Sequence, residues 1–559
     1  MTALTDLCER WWQSRLAASP VWATLLGVHE HDARLPDPSA EAEAERRADV
    51  AALLAEAERV RVEPGEEVVA AMLRATAEDE LLVLGEPARG EVSLAVLGCE
   101  QMRGDHLLWL KALPETAYTE PARAQALLER LAGAPAHLDA SADRYAEALE
   151  LDLPPVRRSV ERVLSQLDAY LDADLDADPL VALPGPDGAV AWREEVRALV
   201  RDEVRPALAA FRERLAGEQL PAGRDDAHAG LVHVDPSGEL YRRYARSYTS
   251  LDIDPDEVHE LGVDYVTGPL AQEWSRLGAA TLGEDDPLAL MDRMRDEPSL
   301  AYGGEQEMVD HAEAAIVRAR AAMGDWFGRL PRADVKVVPA PRHLAGSGAP
   351  AWYLPPAPDG SRPGQYFVDN LGASAMLRSE GEATAFHEAI PGHHLQLAIS
   401  GELDRVPAFL RHGVQVAYAE GWGLYAERLA EEMGLYSSDR DRLGMLSLDA
   451  FRAARLVVDT GLHARGWTRQ EAVDWMSRHT PLPPSTVAAE VDRYVAMPGQ
   501  ALAYKLGQLE IRRLRDDAEA RLGDRFDVRG FHDTVLGSGM VTLPVLADLV
   551  DGWVTRSAA

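Results

Sequence analysis

Residues 379–400, SEGEATAFHEAIPGHHLQLAIS, decide how the rest of the chain is read. They place His387 and Glu388 side by side, then His393 and His394 after a Pro391-Gly392 step. A His-Glu pair followed within two helical turns by a further His is what a hydrolytic zinc site needs. Two imidazoles hold the ion, and the carboxylate beside the first takes a proton from the water that the ion activates. The usual signature is H-E-x-x-H, with its histidines one turn apart on one helical face. Here Pro391 stands where the second His of that signature would be.

Pro391 lacks a backbone donor and crowds the carbonyl of His387, a cost of about 3 kcal/mol in a helix interior. Gly392 adds about 1 kcal/mol. The helix is therefore expected to kink, bulge or restart. On a straight helix His387 and His394 would face the same way. A bulge of one or two residues would instead rotate His393 into the second ligand position. His393 is the expected ligand, with His394 as the substitute. A core helix has no reason to accept this break beside a His-Glu pair, whereas strain of this kind clusters at functional sites.

A third ligand should come from the following helix. The connection near Gly401–Pro407 centres on about residue 404, and the histidines on about residue 390, so an antiparallel partner faces them near residue 418. Glu420 is the nearest carboxylate, and Glu427 lies two turns further along the same face. Gly421 and Gly423 flank Trp422 and would let two helices approach closely.

Outward from this stretch the chain is largely amphipathic helix. In the first 330 residues the segments Ser39–Arg61, Glu66–Leu84, Glu120–Leu131, Ala142–Leu171, Trp192–Leu215, Asp256–Leu277 and Gly304–Leu330 carry helical spacing, with a break expected at Pro154-Pro155. Texture changes near residue 331. Asp334–Pro339, Ala351–Leu354 and Gln365–Val368 read as short strands, with the turn-rich PPAPDGSRPG between the last two. Such strands beside a metal helix could pair with an extended peptide or simply cover the core. Helix then resumes to the C-terminus. The expected organisation is a helical half over 1–330 and a catalytic-type half over 331–559. The second half holds a small antiparallel sheet (331–370) and the motif helix pair (379–433), in one continuous domain. The fold class is mainly α.

Two further acidic or histidine clusters carry less. His29-Glu30-His31-Asp32 has no partner ligand nearby in sequence and reads as a solvated loop. Asp172, Asp174, Asp176 and Asp178 alternate like a calcium loop, but Ala177 and Leu183 replace the Gly and Glu that such a loop needs. They read as a solvated acidic linker.

The chain has 559 residues and a formal net charge of −36. That acidity argues against nucleic acid and anionic membranes as partners. Only Cys8 and Cys99 are cysteines, no basic start precedes an apolar run, and no apolar run has the length of a membrane span. A cytoplasmic protein is expected.

The segments HEAIPGHHLQ (387–396) and YAEGWGLYAE (418–427) resemble a large bacterial family defined only as a domain of unknown function. The resemblance extends over RPGQYFVDN (362–370), RAARLVVDTGLH (452–463) and RYVAMPGQALAYKLGQLEIRRLR (493–515). That family's fold is similar to the carboxypeptidase Taq zinc metallopeptidases. The resemblance implies an elongated helical body with a deep cleft, ligands at His387, His393 and Glu420, and Glu388 as general base. The altered H-E-x-x-H spacing departs from those peptidases, and their Arg-bearing substrate motifs have no evident counterpart here.

A hydrolytic site also needs a donor for the developing oxyanion. Gln500, Tyr504 and Gln508 share a helical face, with Lys505 adjacent, and Tyr504 is the expected donor. Arg455, Asp459 and His463 form a polar stripe at i, i+4, i+8 on an otherwise apolar helix, either lining a cleft or making a buried ion pair. The leading expectation is a zinc-dependent, carboxypeptidase-like metallopeptidase, using one zinc ion on a peptide or small-molecule substrate. The alternatives are a peptide-binding protein that has lost the metal and a metal-dependent amide or ester hydrolase. Oligomeric state is not readable from the sequence.

Overall fold

Helical spacing becomes helix almost throughout. A computed structural model describes residues 2–340, 351–357, 360, 362–369, 373 and 376–559, and the chain is mainly helical with one small sheet. The expected N-terminal helices run Ala40–Ala57, Glu67–Leu84 and Pro121–Ala132. The first starts where the Ser39 hydroxyl accepts from the Ala42 amide at 3.2 Å. Pro154-Pro155 separates Ala134–Glu150 from Arg157–Asp172, as the loss of a backbone donor requires. Among the described residues no helix is long and apolar enough to cross a membrane. Cys8 and Cys99 are both buried.

The chain divides into two compact units. The first comprises residues 1–62, 73–236 and 495–497, the second 63–72, 237–494 and 498–559. Each has its own apolar core. Trp109, Tyr118, Leu138, Tyr145 and Phe211 anchor the first, and Trp274, Leu290, Leu443 and Leu446 the second. In the first unit Asp32 is buried and accepts hydrogen bonds from Thr24 and Arg123, so its loop is a structural joint. The acidic run departs from the expected solvated linker at its last member. Asp178 is fully buried, where it accepts from the Tyr170 hydroxyl and the Leu180 amide and pairs with Arg205.

All residues of the motif region belong to the second unit. Its relevant elements, in chain order, are helix α1 (Glu305–Trp326), strands β1 (Val335–Pro339), β2 (Ala351–Leu354) and β3 (Gly364–Val368), and helices α2 (Glu380–Glu388), α3 (His393–Gly401), α4 (Val416–Glu432), α5 (Asp439–His463), α6 (Pro484–Ala496) and α7 (Leu502–Leu522). The strands fall where the sequence puts them, within a residue. Pro358, Asp359 and Ser361 of the turn-rich segment, and Asn370 of the RPGQYFVDN motif, lie outside the described residues.

The sheet is mixed, where a wholly antiparallel one was expected. Its order is β1-β3-β2, with β2 antiparallel and β1 parallel to β3. Gly364, Tyr366 and Val368 of β3 are buried, so β3 takes the centre. β2, its neighbour in sequence, pairs as a hairpin partner, which leaves β1 the other edge in the parallel sense. Trp352 and Phe367 stack across β2 and β3 at 5.0 Å. Helices α4 and α7 touch backbone to backbone. A Cβ at Gly421 would overlap Gly507, and one at Gly507 would overlap the Ala417 carbonyl.

Candidate metal centre

The interruption predicted at Pro391 is present, and it shapes the site. α2 ends at Glu388, Ala389 leaves helical geometry, the Ile390–Pro391 peptide is cis, and α3 begins at His393. Pro391 cannot donate to the helix ladder. A side chain at Gly392 would overlap the carbonyls of Phe386 and His387, so only glycine fits this return. Two of the polar groups at the break are bonded across it, while the buried Nδ1 of His393 has no partner. The Trp422 indole donates to the Pro391 carbonyl at 3.0 Å, and the His394 amide to that of Ala389 at 3.0 Å.

This restart turns His393 toward His387. Their rings lie 4.6 Å apart at 84°. Nε2 of His387 and Nε2 of His393 stand 3.5 and 3.6 Å from the same oxygen of Glu420, which α4 supplies. One ligand atom from each of the three lies within 4.8 Å of the others. His394 points elsewhere. Its Nε2 meets the Ala333 carbonyl at 3.1 Å and its Nδ1 the Tyr353 hydroxyl at 2.8 Å, tying α3 to the sheet. Burial pushes His394 down to about 4, so it stays neutral in that structural role.

Glu427, the alternative ligand in sequence, occupies a different place. Its carboxylate meets Nδ1 of His387 at 2.8 Å, fixing the ring so that Nε2 faces His393 and Glu420. Room for that ring comes from Gly423, where a Cβ would lie 2.5 Å from Cε1 and 2.7 Å from Nε2 of His387. The two glycines around Trp422 thus have separate roles, Gly421 toward α7 and Gly423 toward His387.

Burial would lower the pKa of His387, but its bonds to Glu420 and Glu427 raise it to about 9. Burial would likewise raise Glu420, yet the two imidazoles hold its carboxyl well below the usual range. The donor set, two imidazole nitrogens and one carboxylate oxygen, is that of a catalytic zinc site. With ligand bonds of about 2.1 Å, the edges of a zinc tetrahedron are about 3.4 Å, close to the observed 3.5 and 3.6 Å. The residues present fit the ion. Side-chain exposure is 4% for His387, 12% for His393 and 23% for Glu420, so the centre is open on the His393–Glu420 side.

Glu388 is half-buried at the end of α2. Tyr504, near the start of α7, lies close enough to Glu420 for that charge to add to the effect of burial in raising the phenol's pKa. Its ring lies over the Arg455 guanidinium at 4.2 Å. Of its expected neighbours, Gln500 stays within hydrogen-bonding reach of the phenol, whereas Lys505 and Gln508 turn away. Lys505 is buried in an ion pair with Asp449, and Gln508 bonds Lys505 and the Leu424 carbonyl. The polar stripe on α5 also divides. Asp459 accepts from the Tyr241 hydroxyl and the Gly499 amide, and His463 meets the Tyr494 carbonyl, while Arg455 faces Tyr504.

A second group, His311, Glu382 and Asp441, was not singled out from sequence because its members come from three separate elements. Glu382 already accepts from Arg318 and from the Ser437 amide and hydroxyl, and Arg378 lies 3.9 Å from Asp441. Two arginines balance the two carboxylates, so the group reads as a clamp holding α2 against α1 and α5.

Residues 20–550 match the family described as "Bacterial protein of unknown function (DUF885)". Two solved structures share the fold. One, described as a putative lipoprotein from Colwellia psychrerythraea, is 26% identical, with a TM-score of 0.90 over 99% of each chain. The other, described as a putative lipoprotein of unknown function from Shewanella oneidensis, is 18% identical, with a TM-score of 0.74 over 98% of this chain and 100% of that one. No curated protein matches the sequence.

Proposed function

The chain belongs to the bacterial DUF885 family, and we propose that it is a zinc-dependent hydrolase of peptides. The observation that carries this reading is the convergence of His387, His393 and Glu420 around one point, with Glu427 orienting His387 from behind. An ion held there supplies Lewis acidity toward a carbonyl and lowers the pKa of water. Glu388, on the residue after the first ligand, takes the proton from the attacking water and returns it to the leaving amine. Tyr504, beside Glu420, donates its phenol proton in a hydrogen bond to the carbonyl oxygen as that oxygen becomes anionic. The Pro391-Gly392 return supports the reading. It costs helix continuity, and what it gains is the placement of His393.

The test is metal content per chain after purification without chelator, beside His387→Ala, followed by a peptide-substrate screen. About one zinc in the parent and none in His387→Ala is expected. Glu388→Gln should keep the zinc and lose about 10²–10⁴-fold in turnover. A chain that stays metal-free when zinc is offered, yet binds peptides, would instead be the peptide-binding alternative. Zinc-loaded protein that cleaves amide or ester metabolites but no peptide would replace the substrate class.

A further inference from the structure

We propose that Tyr366, on β3, is a substrate-facing residue of the His387–His393–Glu420 centre. Its hydroxyl oxygen accepts a hydrogen bond from the N–H of the scissile amide, on the side where Glu388 delivers a proton. This rests on the hydrolase reading above and adds to it the group that holds the leaving nitrogen.

Gly364, Tyr366 and Val368 form the buried face of β3. That face lies against the motif helices. A Cβ at Gly364 would stand 2.5 Å from the Tyr353 hydroxyl and 2.7 Å from Nδ1 of His394, the residue after a ligand. Tyr353 is also the antiparallel partner of Tyr366. Residues paired in this way have their Cβ atoms about 4.5–5.5 Å apart, so the two phenols leave the sheet side by side. Tyr353 ends on α3, at His394. Tyr366, beside it, lies in the field of Glu388 at the end of α2. Burial pushes the Tyr366 phenol well above its ordinary pKa, and the charge of Glu388 adds to that, so the phenol keeps its proton and offers the substrate a lone pair.

The hydroxyl sets Tyr366 apart. Other tyrosines around the motif spend theirs on the protein: Tyr302 on His311, Tyr353 on His394, Tyr418 on the Val535 carbonyl, Tyr425 on His532, Tyr436 on the Glu427 carbonyl and Tyr494 on Glu490. Tyr366 is only 2% exposed, yet among the described residues nothing bonds its hydroxyl, and that oxygen is not sealed from solvent. A polar atom packed this deeply stays unpaired at a cost unless something outside the protein meets it. The Glu388 carboxylate has no partner among the described residues either, and no bond joins it to Tyr366. Two unspent groups on adjoining elements suit a nitrogen between them. As the C–N bond breaks, Glu388 passes the proton it took from water to the nitrogen lone pair, while the nitrogen's own N–H points to the Tyr366 oxygen. The two phenols then divide the amide, with Tyr504 from α7 at its oxygen and Tyr366 from the sheet at its nitrogen.

The experiment uses the full chain carrying Glu388→Gln, zinc-loaded, so that binding is read without turnover. Acetyl-pentaalanine amide is titrated calorimetrically beside its depsipeptides, in which each Ala–Ala amide in turn is replaced by an ester that lacks the N–H. The ester at the bond that the chain with Glu388 cleaves should bind about three- to tenfold more weakly than the peptide. Adding Tyr366→Phe should erase that penalty and leave those at the other bonds. In the chain with Glu388 intact, Tyr366→Phe should keep the zinc and lower turnover of the peptide about ten- to a hundredfold, because the nitrogen gains charge as it leaves. Phe retains the ring that packs on α2, and Tyr366→Leu serves as the second variant if a melt shows that Tyr366→Phe does not fold. A penalty that survives both variants, or one that disappears only at an uncleaved bond, overturns the contact. Zinc content is measured on the same samples. Zinc and peptide cleavage with every penalty independent of Tyr366 remove the contact alone. A Tyr366-dependent penalty in protein that holds no zinc and cleaves no peptide removes the hydrolase reading and leaves the contact standing.

Discussion

Gly423→Ala is the substitution that most directly tests the metal centre. A Cβ at this position would lie 2.5 Å from Cε1, 2.7 Å from Nε2 and 2.9 Å from Nδ1 of His387. Ordinary van der Waals contact begins near 3.4 Å, so the imidazole or the α4 backbone must move by about 0.9 Å. Zinc–ligand distances tolerate only about 0.2 Å. Movement of the ring would also stretch its 2.8 Å bond to Glu427, and movement of α4 would carry Glu420 away from both histidines. Overpacking of this kind costs about 1–3 kcal/mol of stability. Displacing a ligand should weaken zinc by more than the loss of a supporting bond does, so at least about 100-fold. Zinc affinity is measured by competition with a chromophoric chelator, alongside a thermal melt of the metal-free protein. Gly401→Ala, with nothing within 4 Å of its Cβ at the end of α3, is the neutral control. Gly423→Ala protein that melts like the parent and binds zinc equally would refute the placement of His387 as a ligand.

Two more outcomes follow from the same geometry. Glu427→Gln removes the charge that holds Nδ1 of His387, so zinc affinity should fall about 10- to 100-fold with the helical fold retained; an unchanged chelator competition would make Glu427 purely structural. Glu382 addresses the clamp on α2. Burial alone would raise its pKa, but bonds from His311 and Ser437 and the charge of Arg318 bring it to about 2 from an ordinary 4.5. A folded-state value below the unfolded one stabilises above about pH 4.5, and that contribution is lost as pH falls toward about 2. The gap corresponds to about 3 kcal/mol. Urea unfolding of parent and Glu382→Gln at pH 7, 4 and 3 should show a stability difference that narrows with acid; a difference independent of pH would show that the carboxylate is not held ionised by the clamp.

The sequence by itself determined the helices, the three strands and the place where the motif helix must break, because these depend on local causes. Apolar spacing sets the helices, β-branched runs set the strands, and Pro391 removes a donor wherever it stands. Counting residues also brought Glu420 to the histidines, although the connection is longer than the count assumed: α3 ends at Gly401, α4 starts at Val416, and a short helix, Ala408–His412, lies between them. The tertiary structure decided what depends on direction. The choice between His393 and His394 turns on how the chain rotates through Gly392, and that rotation is set by the carbonyls of Phe386 and His387 and by the Trp422 indole. Glu427 could be numbered onto the face of Glu420, but only packing shows that it meets the far nitrogen of His387. The sheet's mixed sense and the meeting of Arg455 with Glu490 come from pairing between segments separate in the chain. No periodicity encodes such pairings, because the energy that selects them appears only when the separate elements pack together.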